Sequence, residues 1–134
     1  MAKIEDVEGI GPKFAEKLGK AGVKTTDGLL EAGASPKGRK ELAEKTGIDE
    51  KTILEWVNHV DLYRIKGVGS EYADLLEEAG VDTVVELATR KPENLVKKME
   101  EVNAAKKLVR RLPLLSQVED WVEQAKKLDR VVKY

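Results

Sequence analysis

The stretch EGIGPKFAEKLGKAGV occupies residues 8–23, and KGVGSEYADLLEEAGV occupies residues 66–81. In each, two glycines bracket one apolar residue, and an amphipathic run follows that ends in Ala-Gly-Val. Glycines on both sides of a single residue let the backbone adopt conformations that a Cβ forbids. The bracketed residue, Ile10 or Val68, can then point inward and anchor the turn. The turn's N–H groups and the start of the next helix face outward together, an arrangement that suits an anion.

The likeness extends beyond the turns. At an offset of 58, Ile4 matches Leu62, Val7 matches Ile65, Ala15 matches Ala73, Leu18 matches Leu76 and Leu29 matches Leu87. Further on the offset becomes 65, where Trp56-Val57 matches Trp121-Val122. The second copy therefore holds about seven extra residues around Val102 to Pro113. Two copies are too few for a solenoid, so a pseudo-symmetric pair is expected. The first unit covers 1–61 and the second 62–134, with an insertion near 102–116.

Between the turns the signals are helical. Pro12 suits the first position of a helix. Phe14 and Leu18, with Ala15 and Ala21, make one apolar face, and Gly22 supplies a left-handed end. Thr26 is placed to cap a helix over 27–32, and Ser35-Pro36 opens another that Gly47 closes. Asp49 precedes a longer helix with Ile53, Val57 and Val60 on one face. In the second copy Thr83 precedes a helix over 84–89, and Pro92 opens one that runs to about Val102. Ser116 is placed to cap a helix over 117–128, with Val118, Trp121, Val122, Ala125 and Leu128 as its stripe. No stretch alternates with period two, and the predicted fold class is all-α.

Composition narrows the function classes. Apolar residues make up 41% and charged residues 37%, the balance of a folded, heavily charged helical protein. With no cysteine, disulfides, thiolate metal sites and a cysteine nucleophile are excluded. There is no long apolar run and no apolar leader, so no membrane contact and a cytoplasmic location are expected. The formal net charge is −1, which is low for a strong polyanion binder. Positive charge gathers instead in 97–111, where Lys97, Lys98, Lys106, Lys107, Arg110 and Arg111 face only Glu100 and Glu101. On a helix, Lys106, Lys107, Arg110 and Arg111 would share one side. They form a second candidate surface for nucleic acid, which an anionic protein would fit equally well.

The apolar-Gly-apolar-Gly turn, followed by x-x-x-Ala-x-x-Leu and Ala-Gly-Val, resembles the helix-hairpin-helix family in both copies. The stretches GIGPKFAEKLGKAGVKTTDGLLEAGASPKG and ELAEKTGIDEKTILEWV are also similar to the small helical N-terminal domain of archaeal and eukaryotic recombinases. The whole chain resembles a family of uncharacterised bacterial proteins with paired helix-hairpin-helix units, apart from 102–116. The resemblance implies a compact bundle of two such units that binds the nucleic-acid backbone, duplex DNA above all, without reading sequence. Carried over, the phosphate-contacting positions are Gly9, Ile10, Gly11 and Lys13, and then Gly67, Val68 and Gly69 with Lys66 beside them. Family hairpins also often hold a monovalent cation on backbone carbonyls. Two departures stand out. Glu8 and Lys66 occupy a position that is often proline, and Lys13 suits a phosphate where its counterpart Glu71 does not.

Other residues have plainer readings. Trp56 and Trp121 hold equivalent places in amphipathic helices and are expected in the core. His59, the only histidine, is expected at a surface or edge. Some DNA glycosylases use the same hairpin with a lysine where Lys13 stands and an aspartate in a Val-Asp context like Val81-Asp82. Here the two residues fall in different copies, and Asp82 reads as a turn residue. A non-catalytic protein with no cofactor is expected. The alternative to nucleic-acid binding is a protein-interaction scaffold that uses the same fold.

Overall fold

A computed structural model describes residues 3–7 and 9–134. Glu8, expected to set a negative charge beside the first turn, lies outside the described residues. These residues form eight α-helices and one short 3-10 turn, Ile4–Asp6, with no strand. The all-α expectation holds. Two compact units divide the chain. One runs to Asp61 and includes Val131–Tyr134, and the other spans Leu62–Arg130.

The first unit carries α1 (Pro12–Lys20), α2 (Thr26–Gly33), α3 (Pro36–Thr46) and α4 (Glu50–Leu62), the last ending at the boundary. Pro12 follows the N-cap Gly11. Thr25, rather than Thr26, caps α2, because its hydroxyl accepts from Gly28 N–H at 3.0 Å. Ser35 accepts from Gly38 N–H at 3.1 Å, and Gly47 closes α3 with φ +73°. Leu18, Leu29, Ile53, Val57 and Val60 are buried, as their spacing predicts. Phe14 corrects the expected apolar face of α1, since it is 37% exposed and rests edge-on against Trp56, ring centroids 5.1 Å apart. His59 is also corrected: it is buried. Its counterpart at an offset of 65 is Gln124, which lies beneath the second glycine turn.

One buried cation belongs to this unit. The Arg39 guanidinium donates to the carbonyls of Gly33 at 2.8 Å, Ala34 at 3.2 Å and Lys133 at 2.7 Å. Lys133 N–H returns a 2.7 Å bond to Ala34 C=O, and Tyr134 donates its hydroxyl proton to Asn58 Oδ1 at 3.0 Å. With Val132 buried, Lys133 is tied to the α2–α3 corner and Tyr134 to α4. Burial pulls the Arg39 pKa down, and Tyr134 and Glu50 work against that shift.

The second unit carries α5 (Ser70–Glu78), α6 (Val84–Leu87), α7 (Pro92–Lys106) and α8 (Leu115–Lys127). Thr83 caps α6 through Glu86 N–H at 3.4 Å. Expected boundaries move in three helices, and α6 ends at Leu87 rather than at residue 89. α7 continues past Val102 to Lys106, and Lys107 then takes a left-handed conformation at φ +51°. α8 begins at Leu115, so Ser116 lies inside it. Gln117 reaches back and accepts from Leu114 N–H at 2.8 Å, supplying the cap expected of Ser116. Val118, Trp121, Val122 and Ala125 face the core, with Leu128 packed at its edge.

The two glycine turns have the same internal geometry. Gly9 and Gly67 have φ of +89° and +99°. Ile10 N–H donates to Val7 C=O at 3.0 Å, and Val68 N–H donates to Ile65 C=O at 3.1 Å. The helices that follow end alike, with Gly22 and Gly80 at φ +89° and +95°. Val23 N–H meets Leu18 C=O, and Val81 N–H meets Leu76 C=O, both at 2.8 Å. Each first glycine also lies against a tryptophan. A Cβ on Gly9 would sit 3.3 Å from Trp56 Nε1, and one on Gly67 would sit 2.9 Å from Trp121 Nε1. The second glycines differ in both respects. Gly11 and Gly69 have ordinary extended backbones, and a Cβ on either would meet open space.

Gly67→Ala combines left-handed strain with a clash against Trp121, and is expected to cost about 2 kcal/mol or more. Gly69→Ala is expected to cost under about 1 kcal/mol. Urea denaturation of the two variants measures the contrast. Arg39→Met leaves the buried Gly33 carbonyl without its guanidinium donor and removes the bonds to Ala34 and Lys133, and is expected to cost about 2 kcal/mol. Faster hydrogen exchange at the Lys133 amide checks whether that loss releases the tail.

Candidate nucleic-acid interface

The glycine turns deliver two helix N-termini to the surface. An α-helix leaves its first N–H groups without an intrahelical partner. The first N–H to bond within α1 belongs to Ala15, which meets Gly11 C=O at 2.9 Å, and in α5 it belongs to Ala73, which meets Gly69 C=O at 2.9 Å. Neither N-terminus is capped by a side chain. The donors ahead of these bonds are Gly11, Lys13 and Phe14 in the first unit, since Pro12 has no N–H. In the second they are Gly69, Ser70, Glu71 and Tyr72. Beside this second set, Ser70 Oγ is buried and makes no hydrogen bond among the described residues.

Sequence reasoning placed Ile10 and Val68 among the phosphate-contacting positions. Their side chains are buried, and their N–H groups close the turns internally, so they shape the cradles without lining them. Gly9 and Gly67 are exposed, and their positive φ sets the direction of the chain. Lys66 has an exposed side chain, but its backbone is occupied: its N–H donates to Gln124 Oε1 at 2.8 Å and its C=O accepts from Gln124 Nε2 at 3.1 Å. Asp120 accepts from the same amide at 2.8 Å and fixes its orientation. Gln124 carried no sequence signal, because a polar residue beside an apolar stripe looks like any solvated position.

Charge differs between the two cradles. Lys13 is exposed at the start of α1, and Lys17 extends over the Phe14 ring with its Nζ 5.8 Å from the centroid. α5 carries Glu71, Asp74, Glu77 and Glu78 instead. Just past it, the Asp82 carboxyl is held above its ordinary pKa, first by burial and then by Glu86 and Glu77, with Arg90 partly offsetting them. Lys13 and Asp82 belong to different units.

The basic cluster at 97–111 is not one helical face. Lys106 is the last residue of α7 and forms an ion pair with Glu78. Lys107, Arg110 and Arg111 lie in the connection that follows, where the backbone has left the helix. Helix propensity extends readily through Ala104–Lys107, but Lys107 turns left-handed and Asn103 captures the chain beyond it. Asn103 accepts from Val109 N–H at 3.0 Å and donates to Val109 C=O at 3.3 Å. All four basic side chains remain exposed.

Among the described residues no helix is long and apolar enough to cross a membrane. Neither a comparison with curated proteins nor one with solved structures gives a match. A family model described as a domain of unknown function (DUF4332) matches residues 8–128, which takes in both glycine turns and both tryptophans, and the chain belongs to that family.

Proposed function

We propose that each unit is a helix-hairpin-helix module and that the chain is a non-catalytic, cytoplasmic binder of the nucleic-acid backbone, duplex DNA first among its ligands. The observation that carries this reading is the pair of uncapped, exposed helix N-termini, each held open by a glycine turn of the same geometry. Backbone N–H groups at such a terminus attract a phosphate without reading a base. Gly11 and Gly69 let the ligand approach the backbone, while Gly9, Ile10, Gly67 and Val68 set the turns. Lys13 and Lys66 add positive charge at the rims. Lys106, Lys107, Arg110 and Arg111 supply a further basic segment, with Lys106 shared with Glu78.

The net charge of −1 and the acidic α5 favour modest affinity. About four phosphate contacts correspond to a loss of about two orders of magnitude in affinity between about 50 and about 200 mM salt. Titration of fluorescent duplex DNA at both salt concentrations tests the reading, and absence of binding at low salt would sink it. Gly11→Ala with Gly69→Ala is expected to weaken binding about ten-fold while leaving the fold intact, since each Cβ enters open space on the protein side. Undiminished binding by the folded double variant would remove the amide cradles from the mechanism.

A further inference from the structure

The two units treat the same helix face in opposite ways. At an offset of 58, Phe14, Lys17 and Lys20 on α1 correspond to Tyr72, Leu75 and Glu78 on α5. Residues three apart in sequence line one side of a helix. In the second unit this side is covered. Tyr72 donates its hydroxyl proton to Arg111 C=O at 3.1 Å, Glu78 pairs with Lys106, and Leu75 is fully buried. The cover is the stretch that the first unit lacks. α7 has 15 residues against 11 in α3, and the connection after it carries Val109 into the core, with Leu108 and Leu112 packed against the same cluster.

Among the described residues of the first unit nothing replaces that cover. α3 ends at Thr46 and α4 begins at Glu50. Phe14 is left 37% exposed, and the Lys20 side chain is 78% exposed and makes a 3.5 Å solvent-screened contact with Glu16. The charge is also inverted. Lys13, Lys20 and Lys24 stand where the second unit has Glu71, Glu78 and Asp82. The acidic helix is covered by a basic segment, and the basic helix is bare.

We propose that the Phe14–Lys17–Lys20 face of α1 docks an acidic, extended segment of a partner protein, in the manner in which residues 106–111 cover α5. Carboxylates of the partner meet Lys13, Lys17 and Lys20, and an apolar side chain covers the Phe14 ring. A polypeptide fits better than a nucleic-acid backbone, because the sister face is filled by peptide carbonyl and apolar groups and a phosphate chain offers Phe14 no apolar counterpart. This proposal goes beyond the nucleic-acid reading and does not rest on it.

The probe is a labelled peptide, AEELVEELP, which is the 105–113 stretch with its basic residues replaced by glutamate. Fluorescence anisotropy at low salt is expected to show binding to the full chain. Lys17→Glu with Lys20→Glu should weaken that binding about ten-fold or more with the helical circular dichroism unchanged. The unaltered peptide AKKLVRRLP should bind about ten-fold more weakly than the acidic one. If the glutamate pair loses helix signal, Lys17→Gln with Lys20→Gln replaces it and is expected to weaken binding in the same direction. No binding by the wild-type chain, or equal affinity in the folded lysine variants, overturns the proposal. So does binding of a DNA duplex at this face with none of the peptide, which would assign the face to nucleic acid.

Discussion

The packing of a tryptophan edge against a left-handed glycine organises each unit. Trp56 Nε1 lies close under Gly9, and Trp121 Nε1 under Gly67, so a Cβ would be tight at Gly9 and would clash at Gly67, on top of the positive φ at both. The contact ties a local conformation to a distant helix: Gly9 meets α4, and Gly67 meets α8. Everything that faces outward from the turn follows from it. Once the glycine is held at positive φ, the bracketed Ile10 or Val68 must enter the core, and the next helix must start with its N–H groups in solvent. A fold-defining contact and a surface-defining one are thus made by adjacent glycines with different duties. The first is constrained by sterics, whereas a Cβ on the second meets open space.

Much of this was legible in the sequence, for physical reasons. Gly-x-Gly, Pro12, Ser35-Pro36 and Gly47 are strong local signals because each restricts φ directly, and the helices they delimit are where those signals place them. The apolar stripes of α4 and α8 were readable because 3.6-residue periodicity over three turns admits one buried face. Reading failed where tertiary contacts overrule propensity. Lys107 would extend a helix by itself, but the Asn103 clamp on Val109 holds the chain out of it. Phe14 has the spacing of a core residue, yet no element covers it, and His59 has the polarity of a surface residue in a position that is buried. The candidate site was half legible. Sequence reasoning found the turns and the rim charges, but it could not tell that the Ile10, Lys66 and Val68 amides are engaged inside the protein.

Duplicated folds drift most freely where the backbone is indifferent to the side chain. Between the two units the positive-φ glycines, the tryptophans beneath them and the Ala-Gly-Val helix ends are shared, because each answers a steric or conformational demand. The exposed side of the helix after each turn has no such demand, and there lysine stands in one unit where glutamate stands in the other. Surface charge of this kind decides what a fold binds without altering the fold. Stability and specificity are therefore carried by nearly separate sets of residues in this chain.

The Arg39 clasp has a consequence for how the molecule is made. A ribosome delivers the first unit's helices early, and N-terminal domains generally fold first. Here the first unit is incomplete until residues 131–134 emerge, because Val132 is buried in it and Lys133 C=O is one of three acceptors for the buried guanidinium. During synthesis Arg39 must therefore keep water as its third partner while the whole second unit is added. The first unit is therefore closed by residues translated after the whole second unit.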